Sequence, residues 1–276
     1  ALPTATVEPR EFTQEDVDNL LKVLLKGEPL YGYTQTKQEC QDSIDYANSD
    51  QWHGDPDAPE QTPEELEKRR QSVIAYYTEK MKTAPEEKPV IHGFYDSDEP
   101  NEVSGTATVD GTEWEVSICN DIDGGWTAAY IERTDCKYRK YDAPLSAVSK
   151  EEAVAQGNAL MQELGIGYAL VDAQPSQEYG EVGNRIWKLY YAPSVNGIPV
   201  SGSRMDRMET WDDGTQHPRY QYWVYSASEE INPDTVSWKL ESIYLDVSKE
   251  GILSFHWMAP STQPMVQQEQ STLLPF

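Results

Sequence analysis

The chain predicts an α+β fold in which antiparallel sheets carry helices packed on one face. Three observations predict it. Helix starts are marked by capping residues at Thr13, Thr62 and Ser149. The last two are each followed by short strands that alternate apolar and polar residues. Those strands are joined by tight-turn pairs such as Asp110-Gly111 and Asn196-Gly197. One helix-then-strands run spans Thr62 to about Tyr138 and the other Ser149 to about Met258. The fold therefore reads as two helix-plus-meander halves, and superposition decides whether they are related.

Taking the elements in order, Thr13 caps a helix whose apolar stripe is Val17, Leu20, Leu21, Leu24 and Leu25, with Gly27 as its stop. Residues 31–61 are ambiguous: Cys40, Ile44 and Ala47 mark a weak helix, and Asp50 to Gln61 reads as a polar loop. Thr62, Pro63 and Glu65 then make a clean helix start, and Leu66, Val73, Ile74, Tyr77 and Met81 recur at helical spacing until Pro85. Strands are expected at Val90 to Tyr95, Val103 to Val109, Thr112 to Cys119 and Trp126 to Arg133. Tyr141 to Ala147 reads as the boundary between halves.

A second capping box, Ser149 with Glu152, opens a helix with Ala153, Val154, Gly157, Leu160, Met161 and Leu164 on its apolar face and Gly165 at its end. Strands follow at Tyr168 to Ala173, Arg185 to Val195, Ile198 to Ser203, Met205 to Trp211 and Tyr220 to Tyr225. Trp238 to Val247 and Ile252 to Trp257 close the set around Glu250-Gly251. The expected organisation is a tether over residues 1–12, an N-terminal α+β domain over 13–141 and a C-terminal one over 142–276.

Composition bounds function. The chain has 22 Lys and Arg against 48 Asp and Glu, a formal charge of −26. Such a field repels nucleic acid and anionic lipid, so no nucleic-acid role is expected. The acidity reads as a solvated surface, with a surface for multivalent cations or basic peptides as the functional alternative. Eight Trp and seventeen Tyr stand against four Phe. Amphipathic aromatics suit half-buried sheet faces, and they also line glycan-binding grooves. The opening Ala1-Leu2-Pro3-Thr4-Ala5-Thr6-Val7-Glu8-Pro9 reads as a tether left after a targeting segment is removed. Three cysteines, Cys40, Cys119 and Cys136, allow one bridge, for which Cys119 with Cys136 is the favoured pairing.

From Ser149 onward, the runs Ser149-Lys150-Glu151-Glu152-Ala153, Leu164-Gly165-Ile166, Tyr190 to Val200 through Asn196-Gly197, and Asp246-Val247 with Gly251-Ile252 are similar to PepSY-like modules. The whole chain also resembles a group of uncharacterised lipoproteins from Gram-positive gut bacteria. The resemblance implies an extracytoplasmic, cell-surface module that binds or regulates an unknown protein or cell-envelope ligand. Its contact with a membrane would be only through a lipid anchor upstream of Ala1. No catalytic residue is implied.

The chain has no Gly-x-Ser-x-Gly elbow, His-Glu-x-x-His helix, P-loop or dinucleotide fingerprint, and no cofactor is expected. Of its four histidines, His256 falls on the strand face opposite Phe255 and Trp257 and reads as structural. Asp121 and Asp123, in Asp121-Ile122-Asp123-Gly124, resemble the start of a calcium loop, with an ordinary acidic turn as the competing reading. The leading expectation is a non-enzymatic binding module using a sheet face or edge strand, with aromatics from the set Trp187, Tyr191, Tyr220, Tyr222 and Trp223. The alternative is a carbohydrate-binding or carbohydrate-active protein that uses aromatic strands and nearby carboxylates.

Overall fold

A computed structural model describes residues 4–6, 10–52, 62–96, 101–121, 126–139, 146–176, 185–195, 198–199, 202–210, 216–223, 242–258, 260 and 265–267. The architecture is α+β with antiparallel pairing throughout. The elements in chain order are β1 (Thr4–Thr6), α1 (Gln14–Leu24), β2 (Leu30–Tyr31), α2 (Lys37–Asn48), α3 (Pro63–Lys80), β3 (Val90–Ile91), β4 (Glu102–Val109), β5 (Thr112–Asp121) and β6 (Trp126–Arg133). A 3₁₀ turn over Thr134–Arg139 leads on to α4 (Lys150–Glu163), β7 (Tyr168–Pro175), β8 (Trp187–Val195), β9 (Ile198–Pro199), β10 (Gly202–Thr210), β11 (Gln216–Trp223), β12 (Ser242–Ser248), β13 (Gly251–Met258) and β14 (Met265–Gln267).

Two compact units result: Ala1–Pro29 with His92–Phe276, and Leu30–Ile91. This partition differs from the expected division near residue 141. Strands from both sides of that boundary share one sheet, because β6 pairs with β13 from Ala128↔Met258 to Glu132↔Ser254. The first helix-then-strands run also divides, with α3 in the smaller unit and β4, β5 and β6 in the larger.

In the larger unit the strand order is β4-β5-β6-β13-β12-β8-β7, with β9 against β8; β10 pairs with β11, and β1 with β14. Alternation along each strand separates two faces. Ile118, Ile131, Phe255, Leu245 and Leu189 are buried on one face, and α4 packs against its β7, β8, β12 and β13 portion. Gly157 of α4 permits the close approach: a β-carbon there would collide with Tyr191 Oη and sit 2.6 Å from Leu189 Cδ1.

The segment before α1 covers the same face. Phe12 meets Trp257 edge-on at 5.3 Å, and its backbone exchanges two hydrogen bonds of 2.8 Å with the Asn120 side chain. Asn19 Nδ2 donates to Leu164 O and ties α1 to the end of α4. The Asp110-Gly111 turn has φ values of 51° and 79°, as a two-residue hairpin of this type requires. Val90 to Tyr95 forms a strand only over Val90–Ile91.

In the smaller unit, α2 packs against α3, and β2 pairs with β3 through Leu30↔Ile91 and Tyr31↔Val90. The region left ambiguous by its weak apolar pattern holds α2, started by a full capping box between Thr36 and Glu39. Burial here is thin. α2 buries only Cys40 and Ala47, and α3 buries no residue over its 18 positions.

Candidate functional site

Of the five aromatics expected to form a binding surface, the structure describes the side chains of two, Trp187 and Tyr191. Tyr191 is core: it is 1% exposed, its hydroxyl donates to Asn158 Oδ1 at 3.1 Å, and burial raises its phenol pKa. Its strand parity points it under α4, which corrects the expectation that it faces a partner. Trp187 is half-buried; its indole Nε1 donates to Val148 O at 3.0 Å, and Lys150 Nζ lies 5.7 Å from its ring centre. Tyr220, Tyr222 and Trp223 occupy β11 opposite Met205, Ser203 and Gly202, and their side chains lie outside the described residues.

Asp121 ends β5 with its side chain outside the description, and Asp123 lies outside it altogether. Among the described residues no group of three or more His, Cys, Asp or Glu is arranged to hold a metal ion. Neither Cys119 nor Cys136 is in a disulfide, which corrects the favoured pairing. Cys136 is buried, and that burial, with Asp135 beside it, raises its thiol pKa.

Two places gather chemistry. The first is the sheet face opposite α4. Cross-strand register puts Tyr190, Tyr244, His256 and Tyr130 in one row, and Lys188, Asp246, Ser254 and Glu132 in the next. The His256 Nδ1 lies 2.8 Å from Tyr244 Oη, and its Nε2 is 3.7 Å from Glu132 Oε2. Tyr244 and His256 rings are 4.5 Å apart, Tyr130 meets His256 edge-on at 5.0 Å, and Lys188 Nζ sits 4.7 Å over the Tyr244 ring. Ser254 Oγ donates to Asp246 Oδ2 rather than to the histidine, so serine and imidazole lie in separate rows and form no nucleophile–base pair. The half-buried rings pack against one another along the row, and Lys188 lies over one of them.

The second place is the surface of the smaller unit. Tyr31, Tyr33, Tyr46, Tyr76 and Val90 are 38%, 53%, 44%, 58% and 38% exposed. Apart from Tyr95 in the larger unit, these are the exposed large apolar residues among those described. Tyr31 and Val90 are cross-strand partners. Lys80 joins Tyr76 to them, because its ammonium lies 5.6 Å from the Tyr76 ring centre and donates at 2.8 Å to Gln35, two residues beyond Tyr33. The result is an exposed tyrosine set on this unit. Periodicity did not find it, because tyrosine has the same amphipathic character in a core and on a surface.

No family model matches the chain, and no curated protein matches it. Among solved structures it is similar to an uncharacterized protein from Eubacterium rectale, at 15% identity and a TM-score of 0.26. The match covers 60% of this chain and 52% of that one, so the chain spans about half the length of that relative. Among the described residues no helix is long and apolar enough to cross a membrane.

Proposed function

We propose that this protein is a non-enzymatic binding module that captures a partner through the tyrosines of the unit Leu30–Ile91. One observation carries the reading. Large apolar side chains are buried across the larger sheet, yet tyrosines stand in solvent on a unit whose longer helix buries nothing. Exposed tyrosine offers a rigid, amphipathic contact area at low conformational cost. An extracytoplasmic, cell-surface setting belongs to the proposal on the strength of the PepSY-like runs from Ser149 onward.

The test compares immobilised wild type with the variant Tyr31→Ser, Tyr33→Ser, Tyr76→Ser for capture from cell-envelope extracts and on a glycan array. Wild type is expected to retain a partner that the variant loses, at equal thermal stability. Equal retention by both proteins, or unfolding of the variant, would sink the proposal. Binding on the glycan array, lost with the tyrosines, would favour the carbohydrate-binding alternative at the same residues.

A further inference from the structure

Resting on that reading, we infer that the captured partner is a cationic polypeptide: an extended Lys/Arg-rich segment whose charged groups lie over the faces of Tyr31 and Tyr33. Charge and geometry carry this further step. Residues 30–91 hold 7 Lys and Arg against 13 Asp and Glu, a formal charge of −6, within a chain of −26. Four of the unit's seven Lys and Arg are paired with its own carboxylates: Lys37 with Glu86, Lys82 with Glu79, Lys88 with Glu39 at 3.1 Å and Arg70 with Glu67 at 3.7 Å. The unit thus carries an excess of carboxylates for an incoming cation together with exposed aromatic rings, the two elements of cation–π recognition.

The set already makes such a contact within the chain, where Lys80 Nζ sits 5.6 Å from the Tyr76 ring centre. Tyr31 and Tyr33 are neighbours at i and i+2, and Val90 lies beside Tyr31 to receive the aliphatic stem of a lysine or arginine. A second copy of this chain fits less well, since it would bring another −26 against the same face.

The experiment titrates the intact protein with three labelled peptides of equal length, one Lys/Arg-rich, one Glu-rich and one Gly/Ser-rich, read by fluorescence anisotropy at low and physiological salt. The proteins are wild type, Tyr31→Ser/Tyr33→Ser and Tyr31→Phe/Tyr33→Phe. The basic peptide alone is expected to bind, more weakly as salt rises. The serine variant should lose about ten-fold in affinity, while the phenylalanine variant stays close to wild type.

Failure of the basic peptide to bind, or binding of the neutral or acidic peptide instead, overturns the inference. So does equal binding by wild type and the serine variant, which would show only diffuse attraction to an acidic protein. If the basic peptide fails while tyrosine-dependent capture from envelope extracts persists, the cationic identity is wrong and the binding-module reading stands. If neither depends on the tyrosines, both are wrong.

Discussion

The two compact units spend their aromatic residues in opposite ways. In the larger unit Tyr191, Phe255 and Trp257 are sealed beneath α4 and the segment before α1. In the smaller unit Tyr31, Tyr33 and Tyr76 face solvent, and α3 lies on α2 without burying a single residue. Burial of apolar area is what stabilises a domain, and the smaller unit forgoes it at these tyrosines. The proposed function takes the first as scaffold and the second as contact surface.

The largest effect should come from breaking the scaffold. Phe255→Ala removes a fully buried ring from the middle of the sheet and should cost about 3–5 kcal/mol by denaturant unfolding. Next is Gly157→Ala, where the added methyl has no room against Tyr191 and Leu189; roughly 1–3 kcal/mol is expected, and Tyr191→Phe should relieve part of it. Ser149→Ala removes the hydroxyl that caps α4 and should cost about 1 kcal/mol. In the smaller unit Tyr31→Ser and Tyr33→Ser should each change stability by no more than ~0.5 kcal/mol. A drop comparable to that of Phe255→Ala would erase the contrast between the units.

Two chemical probes sharpen it further. A thiol reagent at pH 8 should modify Cys119 first, because it is half-buried while Cys40 and Cys136 are buried. Denatured, unreduced protein should release three reactive thiols; one alone would restore the Cys119–Cys136 bridge.

The smallest effect concerns acid. The carboxylate of Glu152 accepts from the Ser149 backbone N–H and pairs with Lys249, which holds its pKa at about 2. A carboxyl depressed in the folded state stabilises the fold above its unfolded pKa, and that contribution is lost as pH falls toward 2. Thermal melting followed from pH 6 to 2 should therefore show a shallower decline for Glu152→Gln than for wild type; parallel curves would remove the capping carboxylate from the account.

Local chemistry made much of this fold legible in the sequence. The capping boxes at Thr62 and Ser149, the Asp110-Gly111 turn and the alternation of Trp114, Val116 and Ile118 are signals contained within a few residues, and each element forms where they stand. Thr36 and Glu39 carry the same cap signal, but the sparse apolar pattern of α2 hid it, since that helix needs only Cys40 and Ala47 in its core. Pairing of β6 with β13 joins segments more than a hundred residues apart, and no local pattern specifies which edges meet.

The candidate site was harder to read for a related reason. Tyr191 and Tyr31 are chemically identical. What divides them is Gly157 lying over one of them, a fact of tertiary packing. His256 shows the opposite case, because strict strand alternation placed it opposite Phe255 and Trp257, where it meets Tyr244.

The central claim, that the smaller unit presents the contact surface, is tested most directly by hydrogen–deuterium exchange of the intact protein with and without a saturating Lys/Arg-rich peptide. Added protection is expected over residues 30–35 and 73–91, with β8 and β11 unchanged. Protection over Trp187–Val195 or Gln216–Trp223 instead, with none in the smaller unit, would contradict the account.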